Sequence, residues 1–165
     1  MQVDPEILNC TVFLGRPVEH GFCADGTGFF LRIEFEQYLI NPQKSRRDST
    51  PNEEPIYIRT NKKHGGVYIH ETRRCDWYRH QNWGVDVCVY PVDLRAFGSF
   101  DDLEVGFLTE GIIFDNNVEQ QFGKLALGDD IFIASCFVGC VGEKKNIPIV
   151  RIASIAAMPS EPIGG

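Results

Sequence analysis

Residues 83–92, Trp83-Gly84-Val85-Asp86-Val87-Cys88-Val89-Tyr90-Pro91-Val92, read as a short and almost continuously apolar strand, broken by one carboxylate and stopped by a proline. An aspartate left unpaired in such a strand costs several kcal/mol, so Asp86 has to face a partner or a cleft. Two roles suit it. Asp86 caps a turn after Trp83-Gly84 by accepting backbone N–H bonds. Alternatively it orients a histidine in a nucleophilic triad, where a buried carboxylate holds the tautomer and stabilises the imidazolium. The segments on either side bear on the choice.

Upstream, Leu8 to Leu14 alternates loosely and predicts a first strand ending in a turn at Gly15-Arg16-Pro17. Asp25-Gly26-Thr27-Gly28 predicts a tight glycine turn ahead of a β-rich run, Phe29 to Phe35. No helix follows that Gly-x-Gly, which disfavours a nucleotide loop. Tyr38-Leu39-Ile40 stops at Asn41-Pro42, and residues 43–55 are polar and proline-bearing, as an exposed loop is. Its basic residues Lys44, Arg46 and Arg47 read as a solvated face, because acids follow at once. Ile56 to Thr60 and Val67 to Glu71 predict a hairpin whose turn uses Gly65 and Gly66 for positive φ.

Downstream of Pro91 the pattern loosens, with a helical turn predicted around Asp101 to Leu108 and another capped by Asn116-Asn117 and ended by Gly123. Leu125 to Asp130 turns into an apolar strand, Ile131 to Phe137. A glycine-rich loop, Cys136 to Asn146, separates it from a last β run, Ile147 to Met158. Short strands between turn signals predict an all-β barrel or sandwich.

At 165 residues the chain is one domain, or one complete small barrel with the beginning of a second. With 43% hydrophobic and 24% charged residues it can bury a core. Sixteen basic against 23 acidic residues leave a formal charge of -7, which argues against sequence-independent nucleic-acid binding. The N-terminus has no basic region followed by an apolar core, and no run has the length of a membrane span. The expectation is therefore a cytoplasmic protein that does not engage a membrane. Its six cysteines are then reduced thiols.

Three stretches, in order, carry a resemblance to the trypsin-like serine peptidases, above all the intracellular bacterial type. Gly26-Thr27-Gly28-Phe29-Phe30 resembles the family's Gly-Ser/Thr-Gly-Phe strand. Val85 to Pro91 is similar to the segment that carries its triad acid, and Leu127-Gly128-Asp129-Asp130-Ile131 to the strand that opens its second barrel. The resemblance implies an all-β fold. Its first barrel would span residues 7–95, a connection 96–124, and the opening strands of a second barrel 125–165. Asp86 then matches the triad acid. The departures are large: Lys44 stands at the position of the general-base histidine, and His64, His70 and His80 fall elsewhere in the order. The Gly-x-Ser-Gly of the oxyanion hole would lie past Gly165, and Ser135, Ser154 and Ser160 lack its flanking glycines. Loss of both serine and histidine removes most of such a site's catalysis, so the resemblance implies a serine peptidase domain without a working triad.

Other chemistry finds less support. Cys136 and Cys140 form one close pair and Cys75, His70 and His80 share a region, but a second close pair is missing, so no metal and no cofactor are expected. A cysteine nucleophile served by His64 or His80 stays open, although no spacing selects it. Trp77, Tyr78 and Trp83 are expected to seal the barrel end rather than stack on a ligand. A second functional expectation is a non-catalytic β-barrel module for protein or peptide partners. In it the unpaired strands Ile131 to Phe137 and Val150 to Ala157 invite another chain, a second copy included.

Overall fold

The computed structural model describes residues 5–41, 55–82, 84–93, 97, 100–112, 124–137 and 141–156. The described residues are all-β apart from one short helix, α1 (Pro5–Asn9), and a few single 3₁₀ turns. The first seven strands are β1 (Thr11–Val18), β2 (Gly21–Ile33), β3 (Glu36–Asn41), β4 (Ile56–Asn61), β5 (Val67–Thr72), β6 (Tyr78–Arg79) and β7 (Cys88–Pro91). They form one antiparallel sheet in the order β5-β4-β1-β2-β3-β7-β6. A two-residue strand, β8 (Leu108–Thr109), runs parallel to β2 beside this path. Among the described residues, β9 (Asp130–Ser135) and β10 (Ile149–Ser154) pair only with each other, as a separate two-stranded ribbon.

The hairpin β4–β5 and the strands at Tyr38–Ile40, β9 and β10 lie where the sequence pattern predicts them, with Gly65 and Gly66 at φ 88° and 84° in the hairpin turn. The turns predicted at Gly15-Arg16-Pro17 and at Asp25 to Gly28 are corrected: both stretches lie inside strands. The register instead shifts between Leu14 and Gly15, making Asp25 the extra residue of a β-bulge. At this bend the backbones touch. A Cβ on Gly15 would lie 1.9 Å from the Cys23 carbonyl oxygen, and one on Gly28 would lie 2.9 Å from that of Ile40. The glycines mark close approach of backbones, not reversal of the chain. The bend is what lets a 13-residue strand serve β1 along one half and β3 and β8 along the other.

Both faces of the sheet are covered. On one, Val12, Leu14, Phe30, Leu39, Ile56, Ile58 and Cys88 pack with Trp77, Phe97 and Leu103. On the other, Phe13, Phe22 and Ala24 receive Cys136 and Val141, both in the connection between β9 and β10.

The predicted complete barrel is also corrected, because the sheet does not close. β5 ends at Thr72, where the chain enters the 3₁₀ turn Arg74–Asp76, and no backbone ladder joins β5 to β7 among the described residues. Aromatic side chains fill the seam between these strands instead. His70 stacks on Phe97 with ring centroids 4.1 Å apart, its Nε2 lies 3.4 Å from the Tyr90 hydroxyl, and the Trp77 ring lies 5.3 Å from that of Tyr90. Rings standing in the seam hold the strands wider than the roughly 4.8 Å a ladder requires. Among the described residues no helix is long and apolar enough to cross a membrane.

Candidate functional site

The ladder between β3 and β7 positions Asp86. Asn41, the last residue of β3, pairs with Cys88, the first of β7. The chain therefore leaves β3 at the end of the sheet where Asp86 enters it, two residues before Cys88. Asp86 itself lies outside the strand, half-buried between the exposed Val85 and Val87. That shortens the predicted strand of residues 83–92 to Cys88–Pro91.

The groups around this end are guanidinium and thiol rather than imidazole. The Cys88 thiol is pushed up chiefly by burial, with Arg79 opposing that rise, Asp86 adding to it and Arg74 opposing it more weakly. Arg79 is the cross-strand neighbour of Cys88 on β6. No hydrogen bond links Asp86 to a histidine among the described residues. His80 accepts from the Asn82 backbone N–H at its Nδ1 (3.1 Å), His70 belongs to the Tyr90 and Phe97 seam, and His64 is exposed in the β4–β5 turn.

The turn ahead of Asp86 is held by a different residue from the one singled out in the sequence. The Asn82 side-chain oxygen accepts from Gly84 N–H (2.9 Å) and its carbonyl from Val85 N–H (3.0 Å). The Asn-x-Gly spacing of this Asx turn is the signal that could have found it.

The remaining candidates do not converge. Ser135 Oγ is shielded without a hydrogen-bond partner, so no base holds its proton, and Ser154 Oγ donates to Asp130 (3.2 Å). Lys44, Trp83, Cys140 and Ser160 lie outside the described residues. Trp77 is buried and donates its indole N–H to Thr72 Oγ1 (2.9 Å), while Tyr78, expected beside it at the barrel end, is 65% exposed. The five cysteines within the described residues are free thiols, and none is hydrogen-bonded to a histidine. No group of three or more His, Cys, Asp or Glu side chains is placed to hold a metal ion among the described residues.

The second candidate surface is the ribbon. Phe132 and Ile152 sit opposite one another on one face, Ile133 and Arg151 on the other. Exposure of 36% at Phe132, 44% at Ile133 and 72% at Ile152 leaves both faces apolar toward solvent. Such a two-stranded ribbon has little core of its own. Comparison of this chain with protein-family models, with curated proteins and with solved structures returned no match.

Proposed function

We propose that this chain is a trypsin-like peptidase domain, fragmentary or degenerate, that carries no working triad and binds polypeptide without cleaving it. Its support is the β3–β7 ladder: the segment that would bear the general base leaves β3 at Asn41, directly across from the residue that follows Asp86-Val87. Asp86 and the point where the chain leaves β3 thus lie at one end of the sheet, which is consistent with the order of acid and base segments in a proton-relay site. Lys44 stands at the base position. A lysine that remains an ammonium at neutral pH has no lone pair with which to take the serine proton, as a neutral imidazole has. The peptidase kinship, the division of the chain at residues 7–95, 96–124 and 125–165, and Asp86 as triad acid all belong to this proposal, as does a reducing cytoplasmic setting suited to free thiols. Incubation with casein and a fluorophosphonate probe is the test. Neither turnover nor labelling is expected, and one labelled serine would overturn the loss of the triad.

A second reading, a non-catalytic interaction module, is favoured by the exposed apolar ribbon. In that case β9 and β10 dock another polypeptide, a second copy included, while nucleic acid and membrane are not partners. Elution as a concentration-independent monomer that fails to bind an apolar dye would remove its basis.

A further inference from the structure

Among the contacts by which the loop between β9 and β10 meets the first sheet, one is made by a buried arginine. Arg59, on β4, is 3% exposed and points its guanidinium at residues 141–146. Nη1 donates to the Val141 carbonyl and to Asn146 Oδ1, both at 2.8 Å. Nη2 donates to the carbonyls of Gly142 (2.7 Å) and Glu143 (3.3 Å). The Phe22 ring lies 5.8 Å from the guanidinium carbon. Three successive carbonyls and one amide oxygen surround a planar cation, and no carboxylate forms an ion pair with it among the described residues.

Asn146 is held by bonds that do not involve the guanidinium. Asn146 donates its side-chain N–H to the Arg59 carbonyl and its backbone N–H to Asn61 Oδ1, and its own carbonyl accepts from Asn61 Nδ2 (3.2 Å). Gly142 adopts φ +72°, and a Cβ there would lie 2.3 Å from the Lys145 carbonyl oxygen. Glycine is what allows the loop to curl until consecutive carbonyls face one point. The shape of the socket is therefore written into residues 141–146 and Asn61, and Arg59 fills it.

We propose that residues 141–146 form a guanidinium-binding site, occupied in cis by Arg59, and that this plug and socket is what docks the β9–β10 ribbon onto the first sheet. The ligand class is a guanidinium: planar, cationic, and rich in N–H donors that match fixed oxygens, as a compact ammonium does not. The same socket would take the arginine side chain of another polypeptide wherever Arg59 is withdrawn.

Chemical rescue tests it. Arg59→Ala empties the socket, and guanidinium at about 50 mM is too dilute to denature appreciably. Amide exchange in residues 130–135 and 149–154 is expected to quicken in Arg59→Ala. Guanidinium at ten times its dissociation constant should then slow it about tenfold. Equal tetramethylammonium, which has no N–H, should not, and the wild type should not respond to either. Equal responses to the two cations, or none, would overturn the proposal. If Arg59→Ala does not fold, recovery of folding is read in the same two salts. Recovery with guanidinium alone supports the site, and recovery with neither or with both overturns it. Asn146→Ala adds an independent arm, expected to quicken exchange in the ribbon and to spare the β1–β2 ladder; uniform quickening would count against the dock.

Discussion

Replacing Ile58 by alanine tests where this protein's stability resides. Ile58 lies on β4 with no exposed surface, packed among Val12, Leu14, Phe30 and Leu39, so truncation removes three methyl or methylene carbons and leaves a void the sheet cannot close. Buried isoleucine-to-alanine changes cost about 2–5 kcal/mol, and a wholly enclosed position between two β neighbours belongs in the upper half, about 3–4 kcal/mol. For a chain of this length each kcal/mol moves the melting midpoint by about 2–4 °C, so a fall of about 6–16 °C is expected. Ile152→Ala, at 72% exposure on the ribbon, should stay within about 0.5 kcal/mol when measured at low concentration. Urea unfolding of both variants beside the wild type, with unchanged slopes, is the assay. Equal losses would refute the placement of stability in the first sheet rather than the ribbon, and a cost at Ile152 that grows with protein concentration would mean that copies associate through the ribbon.

Further outcomes follow from particular contacts. Gly28→Ala forces a Cβ against the Ile40 carbonyl oxygen and Leu39 Cδ1, both 2.9 Å away, and should cost about 1–3 kcal/mol; an unchanged thermal midpoint would contradict the close β2–β3 approach. Burial holds the His70 imidazole below its ordinary value of 6.5, with Glu71 opposing the shift, so the unfolded chain takes up the proton first. Its contribution is whole above pH 6.5 and is lost as pH falls below that, and His70→Gln should flatten this acid limb in pH-dependent urea melts; an unaltered slope would show that His70 is not buried. The Cys10 thiol, pushed up to about 11 by burial and the nearby Glu6, should escape iodoacetamide at pH 8 while the exposed Cys75 is alkylated, as mass spectrometry of peptides would read. Between pH 9 and 11 the unfolded chain releases the Cys10 proton first, so stability should decline across that interval and Cys10→Ala should lessen the decline.

The alternation of apolar residues was enough to determine the all-β class, the β4–β5 hairpin with its two glycines, and the two runs that become β9 and β10, because strand period and turn chemistry are local. What the glycines at 15, 26 and 28 do was not local. A turn and a close approach of backbones demand the same residue, and only the neighbouring strand shows that Gly15 and Gly28 sit at close approaches while Gly26 lies within β2 beside the bulge. The candidate site divides in the same way. Asp86 stands out in one dimension as a charge among apolar residues, but its distance from any histidine bond and the guanidinium and thiol near it depend on how β6 and β7 pair. Arg59 and Asn146 are 87 positions apart and carry no pattern that links them. Their bond exists because a strand of the first sheet and the loop of a separate ribbon come to lie together, which tertiary packing alone decides.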